Sequence, residues 1–264
     1  MTDKNQTAEV LIYRGKQKGE FKSYKVPLFP GMVVLDAVHH VQAKYDSELA
    51  VRWNCKAGKC GSCSCEVNGK PVLSCMTRMD KYPLDKPIRV QPLKTFPVIK
   101  DLVTDVSWNY EVNKKIPAFD PIPPEPDGTW RMQQKDVERV QEFRKCIECF
   151  LCQDVCHVLR DRSKKNVYAG PRYLVRLASL AMHPLDKQDR IPYIKEAAGI
   201  GLCNITKCCT EVCPEDITIT DNAIIPLKER VVSRYYDPLV ALGRLLKKLF
   251  SSGSTTSSCC DHKK

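Results

Sequence analysis

The chain has 264 residues, 43% of them hydrophobic, and a formal net charge of +11 from 42 basic and 31 acidic side chains. That length holds one large or two ordinary domains, and no apolar run approaches the ~20 residues needed to cross a bilayer. The Lys and Arg are dispersed and form no recognisable nucleic-acid motif, so no nucleic-acid partner is expected.

Fifteen cysteines are far more than a reducing compartment tolerates without a use for them. The N-terminus, MTDKNQTAEV, lacks the apolar core of a secretory signal, and with Asp3, Glu9 and no Arg it does not read as a transit peptide. The expectation is a soluble or peripheral protein in a reducing compartment, where such cysteine patterns bind metal rather than pair as disulfides.

In chain order, residues 8–13 and 21–29 alternate as two strands around a hairpin turn at Gly15–Gly19. Val34–Tyr45 has helical periodicity. Its adjacent His39 and His40 read as ordinary helix residues. The segment Cys55-Lys-Ala-Gly-Lys-Cys60-Gly-Ser-Cys63 is C-x₄-C-x₂-C, the plant-type [2Fe–2S] spacing, which closes with a distant fourth cysteine. Cys75 supplies it. Gly58 and Gly61 let the loop wrap with its N–H groups toward sulfur, since glycine tolerates φ > 0. Cys65 is left over, as an alternative ligand or, on the emerging strand, a structural residue facing away. Asn68-Gly69 predicts a type I′ hairpin between Glu66-Val67 and Val72-Leu73, and Ile88–Val90 reads as the last strand. Residues 1–105 therefore read as a β-grasp ferredoxin domain, in a chain of α+β class.

Residues 106–130 read as a linker, stiffened by Pro117, Pro121, Pro123, Pro124 and Pro126. Residues 131–250 then turn helical. Helices are expected over Lys135–Lys145, from Pro171 through Leu174, Leu177 and Leu180 to Met182, more weakly over Lys187–Ala198, and from Asp221 onward. Between them lies C-x₂-C-x₂-C-x₃-C at Cys146, Cys149, Cys152 and Cys156. A second run follows at Cys203, Cys209 and Cys213-Pro214, with Thr206 where a second cysteine would stand. Two such runs mark a two-cluster ferredoxin, in which the fourth cysteine of each run ligates the other cluster. One set is then Cys146, Cys149, Cys152 and Cys213, for [4Fe–4S]. The other is Cys156, Cys203 and Cys209, with Thr206 at the corner without a thiolate. A hydroxyl is a hard, weak donor to iron, so [3Fe–4S] is expected there. Cys208 is the rival of Cys209, but it breaks the x₃ spacing to Cys213.

Pro238–Phe250 forms a basic amphipathic pattern, suited to a membrane surface or partner, or to packing on its own domain. Residues 251–264 read as a disordered tail, and its Cys259 and Cys260 fit no cluster spacing.

Three clusters of three kinds argue for an electron relay rather than a sensor. Zinc ribbons share C-x₂-C pairs but not C-x₄-C-x₂-C with paired ferredoxin runs. No hydrolytic, phosphate-binding or dinucleotide motif is present, so no catalytic residue is assigned to this chain. The motifs Arg52-Trp53-Asn54-Cys55 through Cys63, Leu93-Lys94-Thr95-Phe96-Pro97-Val98-Ile99-Lys100-Asp101-Leu102, and Cys146–Cys156 with Cys203–Pro214 resemble the iron–sulfur subunit of succinate dehydrogenase and fumarate reductase, respiratory complex II, over residues 8–235.

The resemblance implies a flavoprotein partner whose FAD oxidises succinate to fumarate, and a membrane anchor with quinone, with or without haem b. It implies a peripheral position on the cytoplasmic face of the bacterial inner membrane. The reverse reaction, fumarate reduction, uses the same relay. There are departures from the family pattern. After Cys156 stands His157-Val158-Leu159-Arg160-Asp161 where many members have Pro-Ser-x-Trp-Trp, and Asn204 replaces a frequent His. The pattern resembles menaquinone-using forms, with His157, Arg160, Asn204 and Thr206 as the residues expected near quinone.

Overall fold

A computed structural model describes residues 6–238. The amphipathic pattern after Pro238 and the cysteines of the tail lie outside the described residues. The N-terminal half is built on a sheet of strands β1 (Thr7–Arg14), β2 (Glu20–Pro27), β3 (Ser64–Val67), β4 (Lys70–Leu73) and β5 (Ile88–Gln91), in the order β2-β1-β5-β3-β4. β1 is antiparallel to β2 and parallel to β5, while β3 is antiparallel to both β4 and β5. Period-2 alternation aims Ala8, Val10 and Ile12 inward. Helix α1 (Val34–Lys44) covers that face with Val34, Ala37, Val38 and Val41. Its first turn is closed by Asp36, whose carboxylate accepts the Val33 N–H (3.1 Å). Asn68 and Gly69 both have positive φ (49° and 81°) and make the two-residue turn that pairs Val67 with Lys70.

The sheet reading stops short in one respect. After β5 the chain adds β6 (Val98–Lys100) and β7 (Val103–Thr104), a small separate hairpin turning at Asp101, whose φ is 52°. Strands this short carry too little alternation to be seen in sequence.

Helix α2 (Ser107–Lys114) occupies the first part of the expected linker, burying Asn109 and Val112. From Pro117, where the prolines begin, the chain runs without helix as far as Gln133. The helical half then follows: α3 (Gln134–Gln141) with a 3₁₀ turn at Glu142–Lys145, α4 (Leu151–Asp154), α5 (His157–Arg160), α6 (Pro171–Ala181), α7 (Ile191–Lys195), α8 (Cys208–Glu211) and α9 (Ile225–Tyr235). α6 is its central element and buries Leu174, Leu177 and Leu180. The helix expected over Lys187–Ala198 is confined to α7. Asp186 and Arg190 are occupied upstream in pinning the linker, and Pro192 sets the start of the helix. A π-helical turn at Ile219–Ile224 precedes α9.

A shared core joins the halves. Leu35, Leu73, Leu93 and Phe96 from the first pack on Phe150 and Leu151 from the second. Among the described residues no helix is long and apolar enough to cross a membrane.

Candidate iron–sulfur centres

None of the cysteines among the described residues is in a disulfide. All but Cys65 gather in three places.

The first is the loop before β3. Lys56, Gly58 and Gly61 have φ of 52°, 69° and 68°, and the chain curls so that Ala57 and Lys59 N–H donate to Cys55 Sγ (3.4 and 3.3 Å). Cys55 is exposed, Cys60 half-buried, and Cys63 and Cys75 are buried. The hydrogen bond with Ser62 pulls the Cys60 thiol down to about 6, and burial pushes Cys75 up to about 11.

 Cys65 belongs elsewhere: it sits in the core between sheet and α1 with Val67 and Val38, and burial raises its thiol strongly.

The second place is a cavity lined by Cys146, Cys149, Cys152 and Cys213. Glu148 and Phe150 adopt left-handed φ (56° and 61°), so the Cys146–Cys152 segment bends around the cavity before α4 begins. Burial pushes Cys149 up to about 12 and raises Cys152 and Cys213. Buried thiols with raised pKa values need a cation to become thiolates. Ile217 N–H donates to Cys213 Sγ (3.4 Å). Arg172 lines the same cavity, pairs with Glu148, and keeps its buried Nε without a protein acceptor.

The third place is a cavity lined by Cys156, Cys203, Cys208, Cys209, Thr206 and His157, with Asn204 also on its rim. Left-handed Ile205 and Lys207 (58° and 61°) shape this loop. Tyr168 is buried beside it, its hydroxyl raised by burial and then by Cys156 and Cys203. Arg160 turns away, with Nε donating to the Asp154 carbonyl (3.3 Å), and does not line the cavity.

Among the described residues no three His, Cys, Asp or Glu side chains converge closely enough to hold one metal ion. In the second and third places the thiols stand around cavities instead, as ligands of a polynuclear cluster do. The soft donor set, the sulfur-directed N–H groups and the unpartnered Arg172 Nε all fit iron–sulfur clusters.

Residues 7–111 match the 2Fe-2S iron-sulfur cluster binding domain family, and residues 142–217 match the 4Fe-4S dicluster domain family. The fumarate reductase iron-sulfur subunit of Mycobacterium tuberculosis is 32% identical over 219 residues, covering 79% of this chain and 86% of its own length. The chain belongs to the succinate dehydrogenase and fumarate reductase iron–sulfur subunit family. The succinate dehydrogenase iron-sulfur subunit of Bacillus subtilis is 31% identical, covering 75% of this chain and 81% of its own length. A chain from the Mycobacterium smegmatis Sdh1 complex in the apo form superposes with a TM-score of 0.87 at 57% identity, covering 89% of this chain and all of that one. This chain spans 47% and 44% of two longer curated relatives that it also matches.

For this iron–sulfur subunit the fold shows why the first two centres are neighbours. Gly61 packs directly on Cys149: a Cβ at Gly61 would lie 2.8 Å from Cys149 Cα. Ser64 Oγ donates to the Cys149 carbonyl (2.9 Å). Thr95, in the Leu93–Leu102 motif, donates its N–H to Asp154 Oδ1 (2.9 Å) and its hydroxyl to the Asp154 carbonyl (3.0 Å). Arg172, Tyr168 and Asp154 escaped the sequence reading. Each is a common residue at an unremarkable spacing, and nothing local says that it faces a thiol or the other half of the subunit.

Asp154 carries a pH prediction. Burial, with the buried Glu66 carboxylate as a further cause, raises its carboxyl from 3.8 to about 7. Asp154 Oδ2 is buried without a protein donor, so protonating Asp154 removes an unpaired charge from the interior. The folded subunit therefore holds a proton that the unfolded chain has released above its ordinary value. This stability is fully present at acid pH below that value and is lost as pH rises through about 7. Asp154→Asn keeps an acceptor for Thr95 and offers Glu66 a permanent donor. The variant is expected to lose this pH dependence. Apparent unfolding temperatures at mildly acid and mildly alkaline pH check it, and an unchanged slope in Asp154→Asn refutes the buried proton on Asp154.

Proposed function

We propose that this chain is the electron-transfer subunit of a succinate:quinone oxidoreductase, joining an FAD-containing flavoprotein to a membrane anchor. The observation that carries this reading is the serial placement of the three thiol groups. The first touches the second through Gly61 and Cys149, and the second and third share the interleaved runs around α4 and α8.

In this reading Cys55, Cys60, Cys63 and Cys75 hold [2Fe–2S], Cys146, Cys149, Cys152 and Cys213 hold [4Fe–4S], and Cys156, Cys203 and Cys209 hold [3Fe–4S]. When bound, the clusters supply one-electron carriers between flavin and quinone. The chain's own residues set the conditions. Ala57 and Lys59 direct N–H groups to Cys55, and such bonds stabilise charge on sulfur. Arg172 brings a buried positive charge to the Cys146 and Cys152 side of the second cavity. Tyr168 and Thr220 offer hydroxyls to the third, with Thr220 Oγ1 3.5 Å from Cys209 Sγ. We assign His157, Asn204 and Thr206, which line that cavity, to contact with quinone, here menaquinone. Arg160 belongs to this group by sequence position alone. The flavoprotein docks on the N-terminal half and the anchor, with or without haem b, on the C-terminal half, at the cytoplasmic face of the membrane. Residues 1–105, 106–130 and 131–250 are the two cluster domains and their linker.

Relatives named for both succinate dehydrogenase and fumarate reductase keep the reverse direction open as the second reading. Assays of the assembled complex with succinate plus quinone, and with fumarate plus quinol, separate the two. EPR of the oxidised and stepwise reduced complex tests the relay itself. The oxidised complex is expected to contain about nine irons per chain, the sum for [2Fe–2S], [4Fe–4S] and [3Fe–4S]. An oxidised-state [3Fe–4S] signal should be present, and two further clusters should appear on reduction. Recovery as a lone, stable, cluster-free chain would sink the reading.

A further inference from the structure

The third cavity contains one thiol more than the ligand set above uses. Cys208 opens α8, half-buried, on the wall shared with Cys156, Cys203 and Cys209. Cys208 and Cys209 are sequence neighbours that face different partners. Cys209 Sγ lies 3.5 Å from the hydroxyl of Thr220, which is buried. Cys208 Sγ lies 3.3 Å from Thr206 Oγ1 and 3.3 Å from His157 Nε2.

Thr206 stands where a complete C-x₂-C-x₂-C run has its second cysteine. The corner that lacks a thiolate in sequence therefore has a sulfur beside it in space. Left-handed Ile205 and Lys207 on either side of Thr206 turn the chain so that residue 208 reaches back over residue 206. A thiolate is a strong, soft iron ligand where a hydroxyl is a weak, hard one.

We propose that Cys208 is the fourth, exchangeable iron ligand of the third cluster, converting [3Fe–4S] to [4Fe–4S] when ferrous iron is available. The proposal rests on the cluster ligation given under Proposed function. On uptake, the Cys208 S–H bond breaks and an Fe–S bond forms. The proton is released to solvent on the side of Cys208 that faces the exposed His157. No electron is exchanged, because reduced [3Fe–4S]⁰ and Fe²⁺ together make [4Fe–4S]²⁺. The reducing equivalent for [3Fe–4S]⁰ comes from the relay. One-electron oxidation by an added oxidant gives [4Fe–4S]³⁺, which releases Fe²⁺ to leave [3Fe–4S]⁺ and a thiolate that regains its proton. Cys209 keeps its place as the permanent ligand, at the sequence distance from Cys213 that the first run also shows.

The test uses the purified complex, reduced anaerobically with dithionite and given ⁵⁷Fe²⁺, then freed of unbound iron. The wild-type complex is expected to rise from about nine to about ten irons per chain. It should lose its [3Fe–4S] signal on anaerobic reoxidation to the [4Fe–4S]²⁺ level, and regain it after ferricyanide. Cys208→Ala should stay at nine with its [3Fe–4S] signal intact. Cys208→Ser, closer in shape, should take up iron weakly or not at all. A Mössbauer spectrum of the wild type needs no variant: the added ⁵⁷Fe should show all-sulfur tetrahedral coordination. Oxygen or nitrogen coordination of that iron, no uptake by the wild type, or equal uptake by Cys208→Ala would each overturn the assignment while leaving the relay in place. A complex without any cluster would overturn the relay and the assignment together.

Discussion

Gly61→Ala is expected to loosen the contact between the first two centres and slow electron transfer between them. The added Cβ would lie 2.8 Å from Cys149 Cα and 3.0 Å from Cys149 N. Both are backbone atoms, held by left-handed Glu148 and Phe150 on either side and by the Ser64 hydrogen bond to the Cys149 carbonyl. Neither can move without carrying the thiol of Cys149 with it. Overpacking of this kind costs about 1–3 kcal/mol, and the left-handed φ of 68° adds strain for any residue with a Cβ.

Gly58→Ala is the matched control. Its φ is 69°, but its Cβ would meet Met76 Cγ and Sδ at 2.9 and 3.0 Å. The Met76 side chain is flexible and exposed, so it can step aside. The backbone penalty is common to both variants, and the difference isolates the contact with Cys149. Rapid-freeze EPR after a pulse of succinate, following the first two clusters separately, should show a lag in Gly61→Ala that Gly58→Ala lacks. Identical kinetics in the two variants would mean that the contact does not govern the relay.

Arg190→Ala should be the most destabilising substitution in the linker region, at about 3–5 kcal/mol, the range for stranding one partner of a buried ion pair. The Arg190 and Asp186 side chains are 0% and 1% exposed and meet at 2.5 Å. The same guanidinium donates from Nη1 to the Pro117 carbonyl (2.5 Å) and from Nη2 to the Ala118 carbonyl (2.8 Å). Around this clamp the extended chain is stitched down further, with Ile122 N–H to the Leu185 carbonyl (2.9 Å) and Lys187 N–H to the Asp120 carbonyl (3.0 Å).

Removing the guanidinium leaves a buried carboxylate and two carbonyls without their donor. The linker should then become sensitive to limited proteolysis around its prolines. Pairing Arg190→Met with Asp186→Leu removes the stranded charge and should recover part of the stability but not the protection of the linker. A drop below about 1 kcal/mol in Arg190→Ala, with protease resistance unchanged, would show that the linker is held by other means.

Much of the candidate site was legible because cluster ligation is encoded locally. A loop that wraps a small inorganic cluster must place thiols at short, fixed intervals, and C-x₄-C-x₂-C, the four-cysteine run Cys146–Cys156 and the three-cysteine run Cys203–Cys213 state those intervals outright. The β-grasp half was equally readable. Alternation in β1, the helical period of α1 and the Asn68-Gly69 turn are all properties of neighbours along the chain. Short elements were not: β6, β7 and α2 have too few residues to display a period. α7 was overestimated because the polar residues before it, Asp186 and Arg190, are committed to holding the linker rather than to extending a helix.

The two cluster-binding halves, the family and the sets of cysteines proposed as ligands are all readable from residue order, because each rests on spacing within a short stretch. The tertiary structure decided what lies across long separations. It set Gly61 against Cys149, buried Arg172 beside the second cavity, put Asp154 at the junction with Thr95 and Glu66, and turned Cys208 toward Thr206 and His157. These are meetings of side chains and backbone in a packed interior, fixed by how whole elements dock. A spacing along one chain segment specifies which residues share a loop, but not which residue from another segment will stand beside them.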